Sequence, residues 1–307
     1  MANKRQPSVT EARREIPRML QTIRDRDYYS VVRDFFELSA ISVRNTFDFT
    51  KRDEFEKRYM NVAKQYSKDQ LETFASCLGL FIGEIEAAKN GYGEFRDFAG
   101  EIYMDSGTSN GKAGQFFTPY HVSHLMSECT LDKEEVLGRF ENDPDHVLTL
   151  YEPTCGAGGL IVASIDVLNG YGVNYAWNVF VDCGDIDSRC VHMTYLTLSL
   201  LGVPAVVRLG DALAMEYREA WLTPAYLIAW PHFNRHIGQG KYPQSATVQK
   251  APGSPVTEPK EAPAVTPTEA PQIAQTTPEN APKCDENGQM SLFLARFQKM
   301  PLTYQTN

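Results

Sequence analysis

The sequence predicts an α/β fold, and three observations carry that expectation. Residues 11–90 set apolar side chains at helical spacing, as in Tyr29, Val32, Phe35, Phe36 and again in Leu71, Phe74, Leu78, Phe81, Ile82. From about residue 147 the short apolar runs VLTLYEP, WNVFVDC, PAVVRLG and AYLIAWP alternate with helix-like stretches, which reads as strands joined by helices in parallel βαβ units. Beyond about residue 240 this texture stops.

With 307 residues and 42% apolar content, the chain can bury one large domain with appendages. The first twenty residues scatter charge through any apolar run, and no segment approaches the ~20 apolar residues of a membrane span. The expectation is a soluble protein of the cytoplasm with no membrane partner. Six cysteines lie far apart, without a C-x-x-C pair or a histidine at ligand spacing, so no metal site or disulfide framework is expected. A net charge of -9 speaks against coating nucleic acid by charge alone. Residues 1–26 run the other way, with seven basic residues (Lys4, Arg5, Arg13, Arg14, Arg18, Arg24, Arg26) against three acids. That local excess reads as a solvated helix face, with phosphate contact as the alternative.

Residues 1–100 thus form a helical N-terminal part, and residues 101–240 the α/β core. In the core, the first strand runs into Thr154-Cys155-Gly156-Ala157-Gly158-Gly159 and then an apolar helix. A glycine turn in that context lets backbone N–H groups reach a ligand at a helix N-terminus, although alone it could be no more than a tight connection. The second strand ends in Asp182-Cys183-Gly184-Asp185-Ile186-Asp187, about 30 residues on, where a carboxylate can accept both hydroxyl hydrogens of a ribose. A helix from Asp187 to Leu201, stopped by Gly202, leads to the third strand, which ends in Gly210-Asp211-Ala212-Leu213. Three strand ends at one sheet edge converge on one crevice.

The remainder is a tail. Residues 241–286 hold nine prolines and six threonines with Tyr242 as their only aromatic, a composition expected to stay disordered. Residues 287–307 follow, with an apolar island at Gln289 to Phe297.

Taken together, FAGEIYMDSG, GQFFTP, YEPTCGAGGL, GDID, GDAL and LIAWPHF resemble, in order, the motifs of the adenine-N6 DNA methyltransferases, closest to the modification subunits of type I restriction systems. The resemblance covers roughly residues 95–235. It implies a partial Rossmann-like methyltransferase core, S-adenosylmethionine as cofactor, DNA as partner, a separate specificity subunit, and a bacterial or phage origin. Carried over by position, Gln115, Phe116, Phe117, Thr118 and Pro119 would pack on the cofactor, and residues Thr154 to Gly159 would face its methionine part. Asp185 would hold the ribose and Asp211 the adenine. The family's Asn-Pro-Pro-Phe, which binds and stacks the flipped base, is replaced here by Trp230-Pro231-His232-Phe233. An indole N–H donates and cannot accept, so this departure predicts slow or absent transfer, and a catalytically degenerate relative is the alternative. In the tail, Gln289-Met290-Ser291-Leu292-Phe293 is similar to the pentapeptide by which bacterial replication and repair proteins dock on the sliding clamp.

Overall fold

In the computed structural model, residues 9–108 and 117–237 are described and fall within one compact unit. Four helices build the N-terminal part: α1 (Val9–Leu20), α2 (Tyr28–Phe47), α3 (Arg52–Ala63) and α4 (Lys68–Lys89). Their starts are written locally. Asp27 accepts from Ser30 N at the head of α2, and Ser67 with Gln70 closes a reciprocal capping box on α4. Helices α5 (Phe98–Thr108), α6 (Tyr120–Thr130) and α7 (Lys133–Asn142) lead into the sheet.

The sheet consists of β1 (Leu148–Glu152), β2 (Val179–Asp185), β3 (Ala205–Asp211) and β4 (Glu216–Leu222), in the order β1-β2-β3-β4. The first three are parallel, joined by α8 (Gly159–Gly170) with the single turn α9 (Tyr175–Asn178), and by α10 (Ser188–Leu201). Helix α10 has the expected bounds. Asp187 caps its N-terminus through Arg189 N, and Gly202 ends it at φ +76, a left-handed conformation that costs glycine nothing sterically.

Every residue of α10 from Cys190 to Leu201 is buried, because the helix is covered on both sides. One side is the sheet. Trp221 of β4, fully buried, meets His192 and Tyr195 of α10 at ring separations of 5.1 Å each, and Phe55 of α3 at 4.9 Å. On the other side stand the N-terminal helices. Arg58 ties α3 to Glu219 on β4 and to the buried ring of His192, whose charged form is disfavoured first by desolvation and then by that guanidinium.

The chain after β3 departs from expectation. The apolar run AYLIAWPHF is not a strand; it forms α11 (Pro224–Ile228) and α12 (Trp230–Ile237). Short continuous apolar runs look alike as buried strand or buried helix, and Pro224 and Pro231 occupy first-turn helix positions where a missing N–H costs little. The fourth strand is instead EYREAWL, and it runs antiparallel to β3 after a tight hairpin. Gly210 allows this close return, since a Cβ there would sit 2.2 Å from Glu216 O. Leu222 therefore pairs with Val206, near the start of β3, and the chain is delivered to the N-terminal edge of the parallel strands.

Candidate functional site

The opposite, C-terminal edge gathers most of the expected site. The turn after β1 carries Gly156 at φ +55 and Gly158 at φ +92, so α8 begins from a left-handed residue. Three bonds hold this turn. Cys155 N donates to Gly184 O of β2 at 2.8 Å, Gly156 N to Asp185 Oδ2 at 3.0 Å, and Thr194 Oγ1 of α10 to Gly156 O at 2.9 Å. Thr194 also closes the space beside Gly158, where a Cβ would meet its hydroxyl at 3.1 Å.

Asp185 ends β2 and works twice: Oδ2 fixes the glycine turn, and Oδ1 accepts from Asp187 N at 2.9 Å. Each carboxylate oxygen has a second lone-pair site, so both can still receive hydroxyl hydrogens. Asp211 ends β3 and uses Oδ1 for Leu213 N at 2.9 Å and Ala214 N at 3.1 Å, which leaves Oδ2 without a protein donor among the described residues. Glu152, at the end of β1, accepts from Thr154 N and Oγ1 at 3.1 and 3.2 Å. Beside these acids, Ile186 is 63% exposed and Leu213 99%. Two aliphatic side chains left in water next to two carboxylates are what a nucleoside needs, flat ring against carbon and hydroxyl or amino hydrogens against oxygen.

Of the segment 115–119, Gln115 and Phe116 lie outside the described residues. Phe117 stands over the glycine turn, with its ring 3.0 Å from where a Cβ of Gly156 would be and 5.5 Å from the ring of Tyr103. Thr118 and Pro119 are exposed at the head of α6. Cys155, Ala157, Gly158 and Gly159 are buried beneath the turn, whereas Thr154 faces solvent. Burial raises the Cys183 and Cys190 thiols well above their ordinary range, so the floor of the crevice adds no charge of its own.

Sequence reasoning missed five contributors. Glu152, Thr194 and the pair Ile186 and Leu213 are set by tertiary neighbours rather than by motif, although the first lay in plain view inside YEPTCG. Asp97 is the fifth and deepest. Its Oδ1 caps α5 by accepting from Gly100 N at 2.9 Å, and its Oδ2 would stand 2.8 Å from a Cβ on Gly159 at the start of α8. One buried carboxylate thus caps α5 and lies close against the first residue of α8. Desolvation pushes it up to about 6, against the lowering effect of the Gly100 N–H.

Trp230, Pro231, His232 and Phe233 are not brought to this edge. Phe233 is fully buried in a cluster with Phe180, Val206, Tyr226 and Ala229, at the starts of β2 and β3. Phe180 is five residues before Asp185, roughly 17 Å at ~3.3 Å per residue. His232 stacks on Trp177 at 3.8 Å and its Nε2 donates to Trp177 O at 2.9 Å, while Trp230 packs edge-on against Tyr226 at 5.3 Å. The physical reason is the antiparallel β4, which turns the chain back before this segment begins.

Three parallel strands with a glycine turn and carboxylates at their C-terminal edge define an α/β protein of the doubly wound kind. The sequence matches the N-6 DNA Methylase family over residues 96–262, more than half of the chain, and the protein belongs to that family of methyltransferases. Its cofactor is S-adenosylmethionine. Among solved structures, it is similar to a chain described as a class I S-adenosylmethionine-dependent methyltransferase from Listeria monocytogenes, at 14% identity, covering 67% of this chain and 55% of that one, with a TM-score of 0.35. It is likewise similar to the methyltransferase subunit of a type I restriction-modification system from Streptococcus thermophilus, at 15% identity over 67% and 58% of the two chains and a TM-score of 0.33. The chain therefore spans a little over half the length of these two structures. No curated protein matches the sequence. No helix among the described residues is long and apolar enough to cross a membrane.

Proposed function

We propose that this protein methylates the exocyclic amino group of adenine in DNA, with S-adenosylmethionine seated at the C-terminal edge of β1, β2 and β3. The observation that carries this reading is the acidic crevice itself. Glu152, Asp185 and Asp211 stand at three successive strand ends around a glycine turn. Carboxylates so placed repel the pyrophosphate of a dinucleotide and favour a ligand that is cationic at one end and hydroxylated at the other. The cofactor would supply an electrophilic methyl group on sulfur. Asp185 would accept the ribose hydroxyls, Asp211 Oδ2 the adenine amino group, and Ile186 and Leu213 would flank the ring. Phe117 would shield the turn from water.

Residues 230–233 take no part in holding the base in this reading, since they lie at the other edge, His232 and Phe233 in the core and Trp230 and Pro231 at the surface. That placement favours the second reading as well, in which the chain binds cofactor and DNA machinery without transferring methyl. Purified protein incubated with methyl-labelled cofactor and mixed duplex DNA separates the two. Label on adenine supports the first, and saturable cofactor binding with unlabelled DNA supports the second. No binding of cofactor or its demethylated product up to millimolar concentration, where ~4 kcal/mol would still register, rules out both.

A separate specificity subunit and docking of Gln289, Met290, Ser291, Leu292 and Phe293 on a sliding clamp complete the proposal; these tail residues lie outside the described ones. A peptide spanning residues 287–296 is expected to bind clamp in the micromolar range, and the double change Leu292→Ala with Phe293→Ala to abolish it. No saturable binding at several hundred micromolar would assign the tail another role.

A further inference from the structure

The basic stripe at the start of the chain plays no part in the crevice, yet it borders a cavity. Helices α1 and α5 enclose a cleft of about 450 Å³, with Arg13, Arg14 and Arg18 along one wall. On α5, residues 98, 101, 102 and 105 recur at helical spacing and form the other wall, so Phe98 and Ile102 give it an apolar floor. Arg13 is bound to Glu101, which Arg96 also holds at 3.2 Å, so that carboxylate is already neutralised twice. Arg14 and Arg18 differ. Both are exposed, they stand one helical turn apart, and among the described residues neither has an ion pair or hydrogen bond.

Holding two guanidinium groups one turn apart costs repulsion, which the Asp105 carboxylate on the facing wall offsets only in part and which an anion would relieve. Guanidinium forks suit the paired oxygens of a phosphodiester, and groups spaced by one turn suit a repeating polyanion better than a single carboxylate. The same helix reaches the crevice. Tyr103 of α5 lies 5.5 Å from Phe117 and 5.9 Å from the Arg189 guanidinium, so a strand held in the cleft runs beside the helix that backs the glycine turn.

We propose that the α1–α5 cleft seats backbone phosphates of the nucleic acid, with Arg14 and Arg18 as the contacting side chains; the proposal rests on the DNA reading above. It is tested by the salt dependence of binding to a fluorescent duplex. Each phosphate contact adds ~0.9 to the slope of log K against log salt, so Arg14→Ala with Arg18→Ala is expected to lower that slope by about 2. Arg14→Lys with Arg18→Lys should keep it. Arg24→Ala with Lys57→Ala, which removes the same charge from exposed positions outside the cleft, should leave it as in the natural protein. An unchanged slope in the alanine pair overturns the proposal, and so does an equal loss in the control pair. Natural protein that binds poly-glutamate but no duplex overturns it too, along with the DNA reading. Cofactor calorimetry on the same preparations keeps the two failures apart: a slope that drops as expected in a protein without cofactor affinity retains the cleft and removes the methyltransferase reading.

Discussion

The two edges of one sheet are built from opposite materials. At the C-terminal edge, carboxylates, positive-φ glycines and exposed aliphatics crowd three strand ends. At the N-terminal edge, the same strands start inside an apolar cluster in which Phe180, Val206 and Phe233 are fully buried. The difference teaches that an aromatic motif can satisfy a family's order while serving a core. Tyr226 and Phe233 make ring contacts with each other and with Phe180, and those contacts account for both buried side chains without a ligand, whereas Trp230 stays exposed with its ring edge-on to Tyr226.

Breaking the lower edge should cost the most. Phe233→Ala removes a wholly buried ring and is expected to lower unfolding stability by ~3–5 kcal/mol in a urea titration, with cofactor affinity of the folded protein unchanged. A loss below about 1 kcal/mol would mean that the ring is not core.

Asp97 sharpens the upper edge through pH. Its folded-state value of about 6 lies above the ordinary 3.8, so the folded protein holds this proton more tightly than the unfolded chain. Stability from this group therefore falls as pH rises from about 4 to about 6 and is flat above, by up to about 3 kcal/mol in total. Asp97→Asn should remove that slope while keeping an oxygen for Gly100 N. Melts at pH 4, 5, 6 and 7 check it, and an Asn variant with the same pH profile as the natural protein would contradict the burial argument.

Asp185→Ala should weaken cofactor binding by about 1–3 kcal/mol, since it deletes the acceptor for the ligand and releases Gly156 N from the turn. Calorimetry reads it directly. Unchanged affinity would move the cofactor elsewhere.

The smallest effect is expected at Trp230. Trp230→Asn restores the family's residue in sequence but not its place in space, so any methyl transfer should stay within about twofold of the natural protein. A large rise would show that this segment reaches the crevice during turnover.

Much of this was legible in advance. Spacing and capping set the N-terminal helices and α10, and the glycine turn, Asp185 and Asp211 stand at strand ends as expected. Strand β4 was not legible, because EYREAWL alternates exposed and part-buried residues with only Trp221 fully inside, while the more apolar AYLIAWPHF attracted the strand assignment. Asp97 escaped for a different reason. Its neighbours Gly100 and Gly159 are 3 and 62 positions away, and only the longer approach places it beside the turn.

By itself the sequence determined what local chemistry can determine: which segments coil, where glycine permits a left-handed turn, and which carboxylates end apolar strands. The tertiary structure alone decided which edge of the sheet each segment reaches. A hairpin return after β3 reverses the chain with little mark on its composition, and that reversal separates Phe233 from Asp185 by roughly the length of a strand.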